Sequence, residues 1–216
     1  MRHDGRAPNQ LRPVAIETGF ISSASGSALV SAGKTRVICT ASIEKSVPPW
    51  RESSGHGWVT AEYDMLPGAT GQRRGRNRGK IDGRTQEIQR LVGRALRAAV
   101  DMSKMGSNSI LIDCDVIEAD GGTRTASITG AYVALCAAIA NGKQQGLWGD
   151  DVVICQVAAI SVGIVDGELL LDLNYVEDVR ADVDCNLVLT SRNEWIEVQA
   201  TGERTGMSDD HLTGMI

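Results

Sequence analysis

The sequence feature that most limits how this chain can fold is the junction at residues 119–130, ADGGTRTASITG. Before it, SILIDCDVI (109–117) alternates apolar and polar side chains, the pattern of a half-buried strand. After it, AYVALCAAIAN (131–141) is an Ala-rich run suited to a helix, so a strand ends and a helix begins within a dozen residues. A helix N-terminus carries unpaired N–H groups and the positive end of the dipole, and both favour anions, phosphate above all. Gly121 and Gly122 let the backbone come close to a ligand. Thr123 can cap the helix or donate a hydroxyl, and Arg124 adds a planar fork of donors suited to phosphate oxygens. The same residues also read as a plain βα turn with a Thr cap and a surface Arg. A Walker A loop is excluded, because the Gly-Lys-Ser/Thr ending is absent.

Further strands are expected in PVAIET, SALVS, TRVICTAS and WVTAEYD, which are rich in β-branched residues and separated by Gly and Ser. Ile88, Leu91, Val92, Ala95, Leu96 and Ala99 recur at three- and four-residue steps and predict a helix with one apolar face. Arg90, Arg94 and Arg97 fall together elsewhere on its surface. In the second half, VVICQVAAISVGIV and LLLDL flank Asp166–Gly167, a hairpin signal. Strands at roughly 182–190 and 195–200 and a Ser208-capped helix start follow. The fold class is α+β: one domain over 1–216, with two main helices packed on mixed sheets.

Composition sets the outer limits. At 216 residues and 42% hydrophobic content the chain can bury a core. No uninterrupted apolar run approaches the ~18 residues that read as a membrane span, and the N-terminus is charged and polar. A cytoplasmic protein with no membrane partner is therefore expected. Cys39, Cys114, Cys136, Cys155 and Cys185 are widely spaced, without a CxxC pair, and read as free thiols, mostly buried. The formal net charge of −5 disfavours a general nucleic-acid coat but leaves room for a local basic site. The three histidines are scattered, with no paired nucleophile.

Three constellations could carry chemistry. Arg84 opens the first long helix and Arg124 the second, so two helix N-termini could converge on one anion. Alternatively, Arg84 is a surface residue paired with Glu87. In EDVRADVDCN, Asp178, Asp182 and Asp184 form an acidic cluster. Asp182 and Asp184 share a face if this is a strand, where neighbouring carboxylates repel unless a cation such as Mg²⁺ lies between them. A solvated acidic loop fits that stretch as well. Asp113 and Asp115 are assigned a structural role, bonding to the basic helix. The loop from Met65 to Gly83 carries Arg73, Arg74, Arg76, Arg78 and Lys80, with no acid before Asp82. It suits either a segment tracking a phosphate backbone or a solvated surface loop. Together these features suggest phosphoryl chemistry on a polyanion.

The runs DGR…QLRPV, TRVICTASIE, GWVTAEYDMLPGAT, GRTQEIQRLVGRALRAAVD, IDCDVIEADGGTRTASITGAYVAL, VAAISVGIVDGELLLDLNYVED and EVQATGE are collinear with one family. The chain resembles bacterial ribonuclease PH from its first residues to about position 210. The resemblance implies a ribosomal-protein-S5-domain-2-like β-α-β fold and a homo-oligomer, a hexameric ring of dimers. It implies phosphate-dependent 3′-to-5′ exoribonuclease activity on tRNA precursors and other RNA 3′ ends, releasing nucleoside diphosphates. It places inorganic phosphate on Arg84, Gly122, Thr123 and Arg124, and puts catalysis and Mg²⁺ on Asp178 and Asp184. RNA binding is expected from Arg73, Arg74, Arg76, Arg78 and Arg90. A non-catalytic or hetero-oligomeric RNA-binding ring subunit of exosome type is the alternative. The family's further C-terminal helix is expected to be missing, and the loop 71–80 is shorter and denser in Arg than the family's pattern.

Overall fold

The computed structural model describes residues 2–76, 79 and 81–216. Arg78 and Lys80 lie outside the described residues. The first sheet has five strands, β1 (Val14–Thr18), β2 (Gly26–Ala32), β3 (Thr35–Glu44), β4 (Trp58–Met65) and β5 (Ser109–Glu118), in the order β1-β2-β3-β5-β4. β4 and β5 are parallel neighbours joined through α1 (Gly83–Ala98), the β-α-β unit that the sequence led us to expect. Asp82 caps α1 by accepting from the backbone N–H of Thr85.

The second sheet has four strands, β6 (Val157–Val165), β7 (Glu168–Leu171), β8 (Val183–Thr190) and β9 (Trp195–Gly202), in the order β7-β6-β8-β9. Asp166 and Gly167 turn β6 into β7, both with positive φ, as the dipeptide predicts. The short helix α3 (Tyr175–Asp178) follows β7, and α4 (Asp209–Met215) is capped by Ser208.

The long helix α2 (Thr123–Gln144) joins the two sheets. Ile128, Ala131, Ala134, Leu135 and Ala138 are buried in one core with Val30, Val37 and Ile112 of the first sheet and Val157 and Val188 of the second. Covered by both sheets, α2 is apolar on most of its surface, and by length and composition it could cross a membrane. Here that character reflects its place in the core. A separate cluster, Val162, Ile164, Val183, Cys185 and Leu187, packs with Met215 of α4 on the other face of the second sheet.

Glycines set how deeply α2 sits. A Cβ on Gly26 of β2 would lie 2.2 Å from the carbonyl oxygen of Ala134, and one on Gly130 would lie 2.7 Å from Val30. Cys39, Cys114, Cys155 and Cys185 are buried free thiols, and Cys136 is half-buried.

Asp113 and Asp115 do not bond to the basic helix as the sequence suggested. They alternate with the buried Ile112, Cys114 and Val116, so they face the side of the sheet away from α1 and α2. Burial raises the pKa of both carboxyls.

Candidate active site

A cleft of about 670 Å³ opens where the N-termini of α1 and α2 meet the second sheet. Arg84, Gly122, Thr123, Arg124, Asp178 and Asp184 all line it, although they are spread over a hundred residues of sequence. Each reaches it for a local reason. Arg84 is the second residue of α1. Gly122, with φ 65°, is the N-cap of α2, and no side chain caps that helix, so its first N–H groups are left to the cleft. Asp184 alternates along β8 with the buried Val183 and Cys185, and strand periodicity turns it and Asn186 towards the cleft.

One reading of the GGTR turn needs correction and another needs extending. Thr123 does not cap α2; it is the first residue of the helix, and its hydroxyl oxygen accepts a 3.0 Å hydrogen bond from the buried Tyr63 hydroxyl. That bond occupies a Thr123 lone pair and leaves its own proton available to a ligand. Gly121 (φ 75°) lines the cleft and also serves the packing of the chain itself. A Cβ at this position would lie 2.6 Å from the Leu173 carbonyl oxygen and 2.8 Å from the Tyr175 nitrogen. The turn thus presses against the backbone that leads into α3.

Glu87 does not pair with Arg84. Its Oε2 accepts from Nε and Nη2 of Arg124 at 3.2 and 2.9 Å, and its Oε1 accepts from Gln199 at 3.3 Å. The ion pair fixes the plane of the Arg124 guanidinium and leaves Nη1 without a partner among the described residues.

The acidic pair in the cleft is Asp178 with Asp184. Asp182 lies just before β8 and does not line the cleft. Burial raises the Asp178 carboxyl against the pull of Arg84 and Arg124. Burial and the neighbouring Asp178 push Asp184 up to about 6. Two oxygen-donor carboxylates that disfavour each other's charge suit a hard divalent cation. Mg²⁺ in particular uses one or two carboxylates and keeps waters and substrate phosphates as its other ligands. Among the described residues no group of three or more His, Cys, Asp or Glu could hold a metal alone, so water or substrate oxygens would have to complete the shell.

The predicted RNA-binding arginines are less gathered. Gly71 and Gln72 line the cleft, which brings the base of the basic loop to its rim. Arg73 and Arg76 sit on that loop, while Arg74 is drawn inward towards Asp64 and Asp82, at 3.7 and 3.5 Å. Arg90 faces a separate hollow on α1, with Glu87, Arg94 and Gln199. Arg94 pairs with Glu197, and the Arg97 guanidinium lies 4.6 Å from the Trp58 ring centroid.

Sequence reading missed Tyr63, Ser161 and Asn186, which support or line the cleft, and matched Glu87 with the wrong arginine. Tyr63 was visible only as an inward position of a strand. Nothing local marks the Thr123 hydroxyl, sixty residues away, as its partner.

The architecture aligns with proteins of known structure. These include an Archaeoglobus fulgidus exosome with RNA bound to the active site (TM-score 0.82, 23% identity, 99% of this chain and 86% of that one) and rice Rrp46 (0.79, 22%, 99% and 90%). At these identities the likeness concerns the fold. The models of the 3′ exoribonuclease family match directly, domain 1 over residues 10–140 and domain 2 over 155–216. Ribonuclease PH of Corynebacterium efficiens is 55% identical over 217 residues, covering 100% of this chain and 89% of the relative. This chain belongs to the 3′ exoribonuclease family.

Proposed function

We propose that the cleft is where this chain carries out its family's phosphorolytic 3′-to-5′ exoribonuclease chemistry on RNA 3′ ends, tRNA precursors among them. The observation that carries this reading is the convergence of Arg84, Arg124 and the uncapped α2 N-terminus on the same cleft as Asp178 and Asp184. The first group suits an inorganic phosphate dianion through charge, backbone N–H groups and the Thr123 hydroxyl. A phosphate oxygen attacks the phosphorus of the terminal phosphodiester. The bond to the penultimate 3′-oxygen breaks, that oxygen takes a proton, and a nucleoside 5′-diphosphate leaves. Phosphate is already anionic at neutral pH, so the protein's task is positioning and charge neutralisation. Asp178 and Asp184 would hold Mg²⁺, which when bound supplies Lewis-acid stabilisation of charge on the scissile phosphate. The reverse reaction, adding nucleotides from diphosphates, follows from the same site.

Arg73 and Arg76, on the loop at the rim, are suited to hold the RNA upstream of its 3′ end. The relationship to ribonuclease PH over all of this chain also supports an oligomeric ring; a homohexamer assembled from dimers and working in the cytoplasm completes the reading.

The test is product analysis. The purified chain with a 3′-extended tRNA should release nucleoside diphosphates only when phosphate is supplied. Monophosphates in phosphate-free buffer would mean hydrolysis and end this reading. Arg124→Ala should reduce turnover by about 10²–10³, the usual cost of losing one preorganised charge-stabilising group, with RNA affinity little changed.

A further inference from the structure

The two sides of the cleft come from distant parts of the chain, the 120–124 turn on one and α3 with β8 on the other. Behind the turn, where the two segments pack together, one buried side chain bonds to both. Arg12, 6% exposed, does not line the cleft. Its Nε and Nη2 donate to the two oxygens of Asp172 at 3.0 and 2.7 Å, and its backbone N–H donates to the same carboxylate at 2.8 Å. Its Nη1 donates to the Asp120 carbonyl at 2.5 Å, and Nη2 reaches the Gly121 carbonyl at 3.4 Å. One planar group therefore holds the carbonyls of the turn and, six residues before Asp178, the carboxylate of Asp172.

The surroundings close the frame. Thr35 grips the turn as well, donating to the Gly121 carbonyl at 2.7 Å and accepting from the Asp120 N–H at 2.9 Å. The Tyr175 N–H at the start of α3 donates to the Asp120 carboxylate at 3.3 Å. Gly33 is close enough that a Cβ there would lie 2.7 Å from Arg12 Cδ. Asp172 has φ 56°, and despite its burial the Arg12 hydrogen bonds and charge, with help from Arg6, hold its carboxyl below the usual value.

We propose that Arg12 is a positioning residue for the nucleophile: by tying the Asp120–Gly121 carbonyls to Asp172 it sets the spacing between the α2 N-terminus and Asp178. This rests on the reading that the turn holds inorganic phosphate. A lysine at position 12 would keep the charge for Asp172, but its ammonium is a single point and cannot reproduce the fork.

The experiment is steady-state phosphorolysis of a short oligoribonucleotide by the full chain, with inorganic phosphate varied, for the parent, Arg12→Lys, Asp172→Asn and Arg124→Ala. Asparagine suits the left-handed backbone of residue 172 and keeps its shape. Since a misplacement of about 1 Å can cost on the order of 10²-fold, Arg12→Lys and Asp172→Asn should each raise the phosphate KM by about ten-fold or more, with the RNA KM changed by less than about two-fold. Thermal shift with phosphate alone should show the same weakening without RNA. A purely structural role would lower Tm and leave phosphate KM where it was, and that result overturns the proposal. Failure of both variants to fold would overturn it equally, since the pair would then be scaffold. Arg124→Ala separates the two readings. If it too leaves phosphate KM unchanged, the phosphate assignment fails; if it alone raises phosphate KM, only the role of Arg12 fails.

Discussion

Glu177 and Asp178 are neighbours on one turn of α3 and burial pushes both carboxyls up, yet their pKa values end on opposite sides of the ordinary value. Glu177 turns into a cluster built from the N-terminal segment. Nε and Nη2 of Arg2 hold its two oxygens at 2.7 and 2.6 Å, and Arg6 approaches at 3.4 Å. It also completes a capping box with Asn174. Burial works against its charge, but these partners more than offset it and lower its pKa. Asp178 faces the cleft and lacks such a partner, so burial prevails and its pKa rises. Arginines and acids occur in both regions. In the cluster, guanidinium and carboxylate are matched atom for atom; in the cleft, Arg84, Asp178 and Asp184 make no ion pair among the described residues, and Arg124 keeps Nη1 unpaired beside its bond to Glu87. Matched charges make scaffold, whereas charges left unpaired remain available to a substrate.

The largest expected effect is on the matched side. Arg2→Ala leaves Glu177 buried with much of its partnership gone and strips bonds from the Leu171 and Asp172 carbonyls. Breaking a buried pair in this way costs about 3–5 kcal/mol, readable by urea denaturation. A loss below about 1 kcal/mol would show that the cluster is not what anchors the N-terminal segment.

The cleft should behave the other way. The Asp184 pKa is raised in the folded state, from 3.8 to about 6. Its ionisation therefore opposes folding above about pH 6, and the penalty disappears as pH falls below the unfolded value. Two units at 1.36 kcal/mol each, discounted for partial exposure, put Asp184→Asn at about 1–2 kcal/mol more stable than the parent in metal-free buffer at pH 8, with no gain at pH 4. Turnover should nonetheless fall by about 10². Asp172 and Glu177, lowered in the folded state, carry the opposite sign: they stabilise above about pH 4, and that stability is lost on further acidification. A variant that loses both stability and activity would erase the contrast between the regions.

The smallest effect is expected from a third setting, the exposed loop. Replacing Arg73 and Arg76 with Ala should leave stability within about 0.5 kcal/mol. It should flatten the salt dependence of RNA binding by about 0.7 in log–log slope for each single-strand phosphate that is no longer neutralised. An unchanged slope would assign these side chains to solvent.

Much of this was legible in the sequence because local patterns carried it. The heptad-like spacing of Ile88 to Ala99 gave α1, the Asp166–Gly167 pair gave the β6–β7 hairpin, and alternation in SILIDCDVI gave β5. Six residues of the cleft were identified for a different reason: they sit at helix starts or in a compact acidic run, and the family resemblance singled them out. What stayed hidden depends on partners far apart in sequence. Arg12 and Asp172 are 160 residues apart, and nothing in QLRPV distinguishes a buried clamp from a charged tail. The second requirement for Gly121 stayed hidden because the crowding that demands it comes from residues 173–175. Glu87 could be matched with Arg84 on helical spacing, and only tertiary packing awards it to Arg124.

The seating of α2 has a consequence at a distance. Gly26 touches the helix at Ala134, eleven residues and about 17 Å along its axis from Thr123. A packed helix is stiff along its length, so it behaves as a beam clamped at mid-span with its tip at the 120–124 turn. A small tilt at the clamp is delivered to the tip. The tolerance for error in the 120–124 turn is thus partly set at a glycine in β2, well away from the cleft.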